Sequence, residues 1–114
     1  MRSYSGRCHC GAVRFRFAAD EITRGVRCNC SICVRRGNVM SKQWHALDEL
    51  TGRDALTLYQ WGDHMVSFWF CRTCGIHPFA EITAEPGRYR INLGCVDEID
   101  TLALAIDLID GKSF

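Results

Sequence analysis

Eight cysteines constrain this chain more than any other feature, because seven of them fall in three tight groups. Cys8 and Cys10 stand in CHCG, Cys28, Cys30 and Cys33 in CNCSIC, and Cys71 and Cys74 in CRTCG. Cysteines one residue apart are poor disulfide partners, since that bond requires a particular Cα separation and torsion. A metal gathers sulfurs at about 2.3 Å from such loops. The start, MRSYSGRCHCG, has no apolar stretch after its arginine and lacks the build of a signal peptide, so the expected compartment is the cytoplasm. In a reducing compartment, closely spaced cysteines point to metal rather than to a disulfide framework.

At 114 residues the chain is long enough for one core without covalent staples, and residues 1–114 are read as a single domain. Its 47% hydrophobic and 24% charged residues are those of a soluble globular protein, with no apolar run of the roughly 18 residues that suggest a membrane span. A formal net charge of +1 offers no clustered basic face for nucleic acid.

The readable elements are strands. GAVRFRF (11–17) alternates with Val13, Phe15 and Phe17 on one face, and ALTLYQW (55–61) sets Leu56 and Leu58 against Tyr59 and Trp61. MVSFWF (65–70) reads as a strand buried on both faces that runs into Cys71. Further strands are expected at 79–83, 88–93 and 102–108, with turns at 61–64, 85–87 and 109–111. The one helical candidate is a turn or two after Cys30, with Ser31 as N-cap and Gly37 as terminator. The class is all-β, with cysteines in the turns.

Cys8, Cys10, Cys71 and Cys74 make a closed four-thiolate set suited to structural zinc, clipping the N-terminal edge of the domain to its middle. Gly75, after the C-x-x-C, permits the left-handed backbone of a metal knuckle. A redox role for that motif wants a βαβ pattern that the sequence lacks. Cys28, Cys30 and Cys33 are three ligands for one metal with a fourth position left open, which is the pattern of a catalytic zinc. Three thiolates on zinc favour a sulfur as fourth partner, and Arg35 and Arg36 are placed to offset the negative charge. A Cys30–Cys33 thiol switch is the redox alternative for the triplet.

Cys95, alone in NLGCVDE, reads as a small buried hydrophobe rather than a fourth ligand. His9 is expected to point away from the metal, and His45 and His64 to be solvated in polar turns. His77, in GIHPF, either packs beside Pro78 or borders the site.

Taken together, CHCGAVRF, CNCSICVRRG, LTLYQWG, FCRTCGIHPF and the late strand ending at Cys95 resemble the glutathione-dependent formaldehyde-activating enzyme family, also called the CENP-V/GFA domain. The resemblance covers roughly residues 4–114. It implies an Mss4-like fold of antiparallel β-sheets clipped by zinc, with Cys8, Cys10, Cys71 and Cys74 holding the structural ion and Cys28, Cys30 and Cys33 the catalytic one. It also implies a carbon–sulfur lyase that adds a zinc-bound thiol, glutathione or similar, to formaldehyde or a related small carbonyl. Arg35, Arg36 and Lys42 are then candidates for the glutathione carboxylates, with a solvated charged face as the plainer reading. The chain departs from the family in reading FWFC before Cys71, where HYFC is common, and in placing Ala80 and Glu81 after HPF, where an aromatic is common. Neither change touches a metal ligand. The reading from a different class is a non-catalytic zinc module of the Mss4-like type that binds a partner protein.

Overall fold

A computed structural model describes residues 1–113 and is built almost entirely of strands. In chain order these are β1 (Arg2–Arg7), β2 (Arg14–Ala19), β3 (Arg24–Cys28), β4 (Met40–Ser41), β5 (Glu49–Thr51), β6 (Leu56–Tyr59), β7 (Val66–Cys71), β8 (Phe79–Ile82), β9 (Tyr89–Ile91) and β10 (Ala105–Ile109). One helix, α1 (Ser31–Arg36), follows β3. Three sheets result, ordered β1-β2-β5, β10-β3-β4 and β6-β7-β8-β9. All pairings are antiparallel except β10 alongside β3. This is the all-β, Mss4-like class that the cysteine spacing and the resemblance lead one to expect.

Alternation decides the core. Val13, Phe15 and Phe17 are all buried while Arg14 and Arg16 point out, as the period of two requires. Phe15 meets Phe79 edge-on at 5.6 Å, which joins the β1-β2-β5 sheet to the β6–β9 sheet, and Phe79 in turn meets Tyr89 at 4.8 Å. Tyr4, Phe17, Ala19, Ile91, Leu93, Cys95 and Val96 complete this cluster. A smaller cluster joins Val13 and Ala55 to Cys8 and Cys71.

Several expectations need correcting. Strand β7 is not buried on both faces: Ser67 and Cys71 are buried, whereas Val66, Phe68 and Phe70 are half-buried and Met65 is exposed. The reason is that Val66 and Phe68 face a cavity rather than a packed layer. Strand β6 is an edge, and Leu58 and Tyr59, on its two faces, are both exposed. Residues 101–103 form a turn rather than the start of a strand, because Asp100 accepts the Leu102 amide on its side chain (3.0 Å) and the Ala103 amide on its carbonyl (3.1 Å). Strand β9 stops at Ile91, where the Asn92 side chain accepts the Gly94 amide (3.0 Å) and turns the chain. Cys30, not Ser31, is the N-cap of α1, and it makes no side-chain capping bond; Gly37 does end the helix in a left-handed conformation. His45 is not a solvated turn residue, since it bridges to Tyr89 and packs on Phe17 at 5.0 Å. Among the described residues no helix is long and apolar enough to cross a membrane.

Candidate metal and active site

The fold gathers the two cysteine sets proposed from spacing. Cys8, Cys10, Cys71 and Cys74 place their sulfurs within 4.8 Å of one another, and Cys28, Cys30 and Cys33 do the same. Tetrahedral zinc with Zn–S bonds of about 2.3 Å holds its sulfurs about 3.8 Å apart. The Cys8–Cys10 and Cys10–Cys71 separations are both 3.7 Å, so the donor type and the spacing fit that ion.

Local backbone explains the first set. The Cys8 carbonyl accepts the Gly11 amide (3.2 Å) and the Cys71 carbonyl accepts the Gly75 amide (2.8 Å), which closes both knuckles. Gly75 has φ 78°, the left-handed turn expected of it. The Val13 amide donates to Cys8 Sγ at 3.3 Å, and such bonds stabilise a thiolate. Burial opposes ionisation of Cys74, but the amides of Cys10 and Ile76 and the thiols of Cys71 and Cys8 outweigh it and lower its pKa to about 6. Cys8 and Cys71 are fully buried.

The triplet is built differently, from a single run of chain. Strand β3 delivers Cys28, Cys30 caps α1, and Cys33 lies in its first turn. Asn29 anchors the run, its Nδ2 donating to Asp110 Oδ1 (2.9 Å) and its Oδ1 accepting the Lys112 amide (2.8 Å). Burial, together with the Cys30 and Cys28 sulfurs, pushes Cys33 up to about 12. At Cys30 burial works the same way, yet the Cys33 thiol and the Cys33 and Ile32 amides outweigh it and lower the pKa. Three sulfurs this close cannot all ionise without a cation between them, which is what a divalent ion supplies.

All three sulfurs line one cavity of about 210 Å3. Its opposite wall is a row of cross-strand neighbours, Phe68, Ala80 and Arg90, set side by side by the β7–β8 and β8–β9 registers. Arg36, three residues after Cys33 and so on the same helix face, lays its guanidinium over Phe68 at 4.9 Å. His77 also lines the cavity and is buried. Its Nδ1 lies 2.7 Å from the Trp69 carbonyl oxygen, which only accepts, so Nδ1 carries the proton and Nε2 is the acceptor. Burial, with the nearby Arg36 charge, lowers its pKa to about 4, which leaves the ring neutral near pH 7.

Of the three cations singled out in the sequence, only Arg36 reaches this cavity. Arg35 donates to its own helix at Ser31 O (2.8 Å), and Lys42 pairs with Asp107 (3.0 Å). Arg90 and Trp44 line the cavity and escaped sequence reasoning; the signal for Arg90 was its place between Tyr89 and Ile91, both buried on the other face of β9. Cys95 belongs to neither sulfur set and sits in the core, its thiol pushed up to about 12 by burial. His9 and His64 are exposed.

Two comparisons bear on identity. A crystal structure of a Rhodobacter sphaeroides protein superposes with a TM-score of 0.76 at 32% sequence identity, covering 92% of this chain and 99% of that one. A profile of the family described as glutathione-dependent formaldehyde-activating enzyme matches residues 3–108. This chain therefore belongs to the glutathione-dependent formaldehyde-activating enzyme family.

Proposed function

We propose that the chain is a zinc-dependent carbon–sulfur lyase that joins a thiol of glutathione type to formaldehyde or a related small carbonyl. The observation that carries this reading is the placement of Cys28, Cys30 and Cys33 on the wall of a cavity, while the four-cysteine set stands closed elsewhere. A zinc ion held by Cys28, Cys30 and Cys33 would supply a Lewis acid and favour the thiolate form of a thiol substrate. The chain's own groups do the rest. Half-buried Arg36 offsets sulfur charge, and neutral His77 offers Nε2 as a proton acceptor for the incoming thiol. Val66, Phe68 and Trp44 keep the cavity largely apolar, which limits water at the reacting carbon. We take residues 1–114 as one domain acting in the cytoplasm, with Cys8, Cys10, Cys71 and Cys74 as a structural zinc site.

The test mixes zinc-loaded protein with glutathione and formaldehyde and follows the hydroxymethyl adduct by NMR. Adduct formation well above the buffer rate is expected; a rate equal to the blank overturns the formaldehyde reaction. Exposed Val34, Tyr59, Trp61 and Met65 favour a second reading, a zinc module that docks a partner protein. Metal analysis separates the two, because a single bound zinc with the triplet reduced and empty supports the module.

A further inference from the structure

Two guanidiniums approach the triplet cavity from different elements, Arg36 from α1 and Arg90 from β9. Each lies over a ring, Arg36 over Phe68 at 4.9 Å and Arg90 over Trp44 at 5.0 Å. Stacking fixes the plane of a guanidinium and leaves its edge donors free for a flat, two-oxygen acceptor. Neither side chain has a carboxylate partner among the described residues, where the ion pairs fall to Arg2, Arg24 and Lys42. Arg90 donates from Nη2 to the Lys42 carbonyl (3.0 Å), its Nε is buried without a partner, and the Arg36 guanidinium makes no hydrogen bond among the described residues. Among the described residues no acidic side chain lines the cavity. Half-buried cations are costly; the triplet's sulfurs on the same cavity offset part of that charge, and the guanidinium edges left without acceptors suit an anion with two oxygens.

We propose that Arg36 and Arg90 bind the carboxylate of the carbonyl substrate, so that this chain acts on a small 2-oxo acid of the glyoxylate kind in preference to formaldehyde. The proposal rests on the reading of the triplet as a catalytic centre. Formaldehyde carries no charge and gains nothing from two guanidiniums. A cavity of about 210 Å3 lies below the roughly 300 Å3 where pockets for larger ligands begin, so it fits an acid of a few heavy atoms better than a tripeptide. Ala80, the small residue between Phe68 and Arg90 in the cross-strand row, leaves the room. The step balances without an oxidant: the thiol sulfur bonds to the aldehyde carbon, the C=O π pair moves to oxygen, and that oxygen takes the thiol proton to give a hemithioacetal.

Calorimetric titration of the zinc-loaded protein with glycolate, and with its neutral amide glycolamide, tests the site without turnover. Glycolate is expected to bind and glycolamide to bind far more weakly. Arg36→Met and Arg90→Met, which keep a side chain against the ring, are each expected to weaken glycolate about 10-fold or more. Circular dichroism and metal content confirm that the variants are folded; Arg90→Lys serves if Arg90→Met is not, and it is expected to bind glycolate more weakly than wild type because it lacks the planar fork. Equal binding of glycolate and glycolamide, or arginine variants that bind glycolate like wild type, overturns the proposal and leaves the guanidiniums balancing sulfur charge alone. NMR of adduct formation then compares glutathione plus glyoxylate with mercaptoacetate plus formaldehyde. A rate above buffer for the first pair supports the assignment; a rate above buffer for the second pair only moves the carboxylate to the thiol and overturns it. Arginine-dependent glycolate binding with no adduct from either pair overturns the lyase reading and leaves the carboxylate site standing.

Discussion

The two sulfur clusters draw on the same side chain but are built differently. The four-cysteine set draws on two chain segments some sixty residues apart, Cys8 and Cys10 against Cys71 and Cys74, and buries Cys8 and Cys71 completely beside Val13 and Ala55 while Cys74 is half-buried and Cys10 exposed. The triplet comes from one run of six residues, each of its sulfur-bearing side chains is only half-buried, and one side of it is a cavity. A metal joining distant segments removes much chain freedom and contributes to folding, whereas a metal on a local loop constrains little beyond that loop. On the proposed reading, stability falls to the first cluster and reactivity to the second.

The division is easiest to break at the ligands themselves. Cys71→Ser is expected to cost the four-cysteine ion and with it much of the roughly 5–15 kcal/mol that holds a domain of this size folded, leaving no cooperative thermal transition. Cys30→Ser is expected to lower metal content by one ion and shift the transition by only a few degrees. Calorimetry and metal analysis on both variants check this, and equal losses of stability contradict the contrast.

A gentler probe leaves every sulfur in place. Gly111 lies where an added methyl would run into Cys28 Sγ and crowd Cys30 Cβ. Gly111→Ala is expected to displace Cys28 and release the triplet's metal while the four-cysteine set keeps its own. Stability should change by no more than about 1–3 kcal/mol, the usual cost of overpacking. Retention of full metal content with unchanged chelator kinetics would show that the triplet adapts.

The grouping of the cysteines was legible from spacing, because C-x-C, C-x-x-C and a following glycine are local demands on sequence that leave few alternatives. So were Val13, Phe15 and Phe17, whose alternation survives in the fold. Strands β1 and β3 were not, since RSYSGR and RGVRC have little apolar alternation; β1 is held by its pairing to β2, and β3 by β10, about eighty residues on. The cavity was hidden for the same reason. Its far wall is a row across three strands, and Phe68, Ala80 and Arg90 become neighbours only through register. Arg90 in a strand reads as a solvated residue until Trp44 covers it.

His77 connects the two regions, since it follows the Cys74 knuckle in the chain and lines the triplet's cavity in space. Burial and then the Arg36 charge depress its pKa from 6.5 to about 4. The unfolded chain therefore binds a proton at this ring between those values while the folded one does not. Its contribution to stability is full above about pH 6.5, is lost as pH falls through the window, and levels off below about pH 4. His77→Gln keeps a polar side chain at the Trp69 carbonyl but takes up no proton. The stability gap between wild type and variant is expected to be widest near about pH 7 and to narrow toward about pH 4 by at least about 1 kcal/mol. Urea unfolding at several pH values measures it, and protonation of the cysteines, common to both proteins, cancels in the difference. A gap constant across the window would mean that the ring takes up its proton in the folded protein as readily as in the unfolded chain. The cavity would then be wetter than its apolar walls imply, and the triplet less different from an exposed loop than its sulfurs' half-burial suggests.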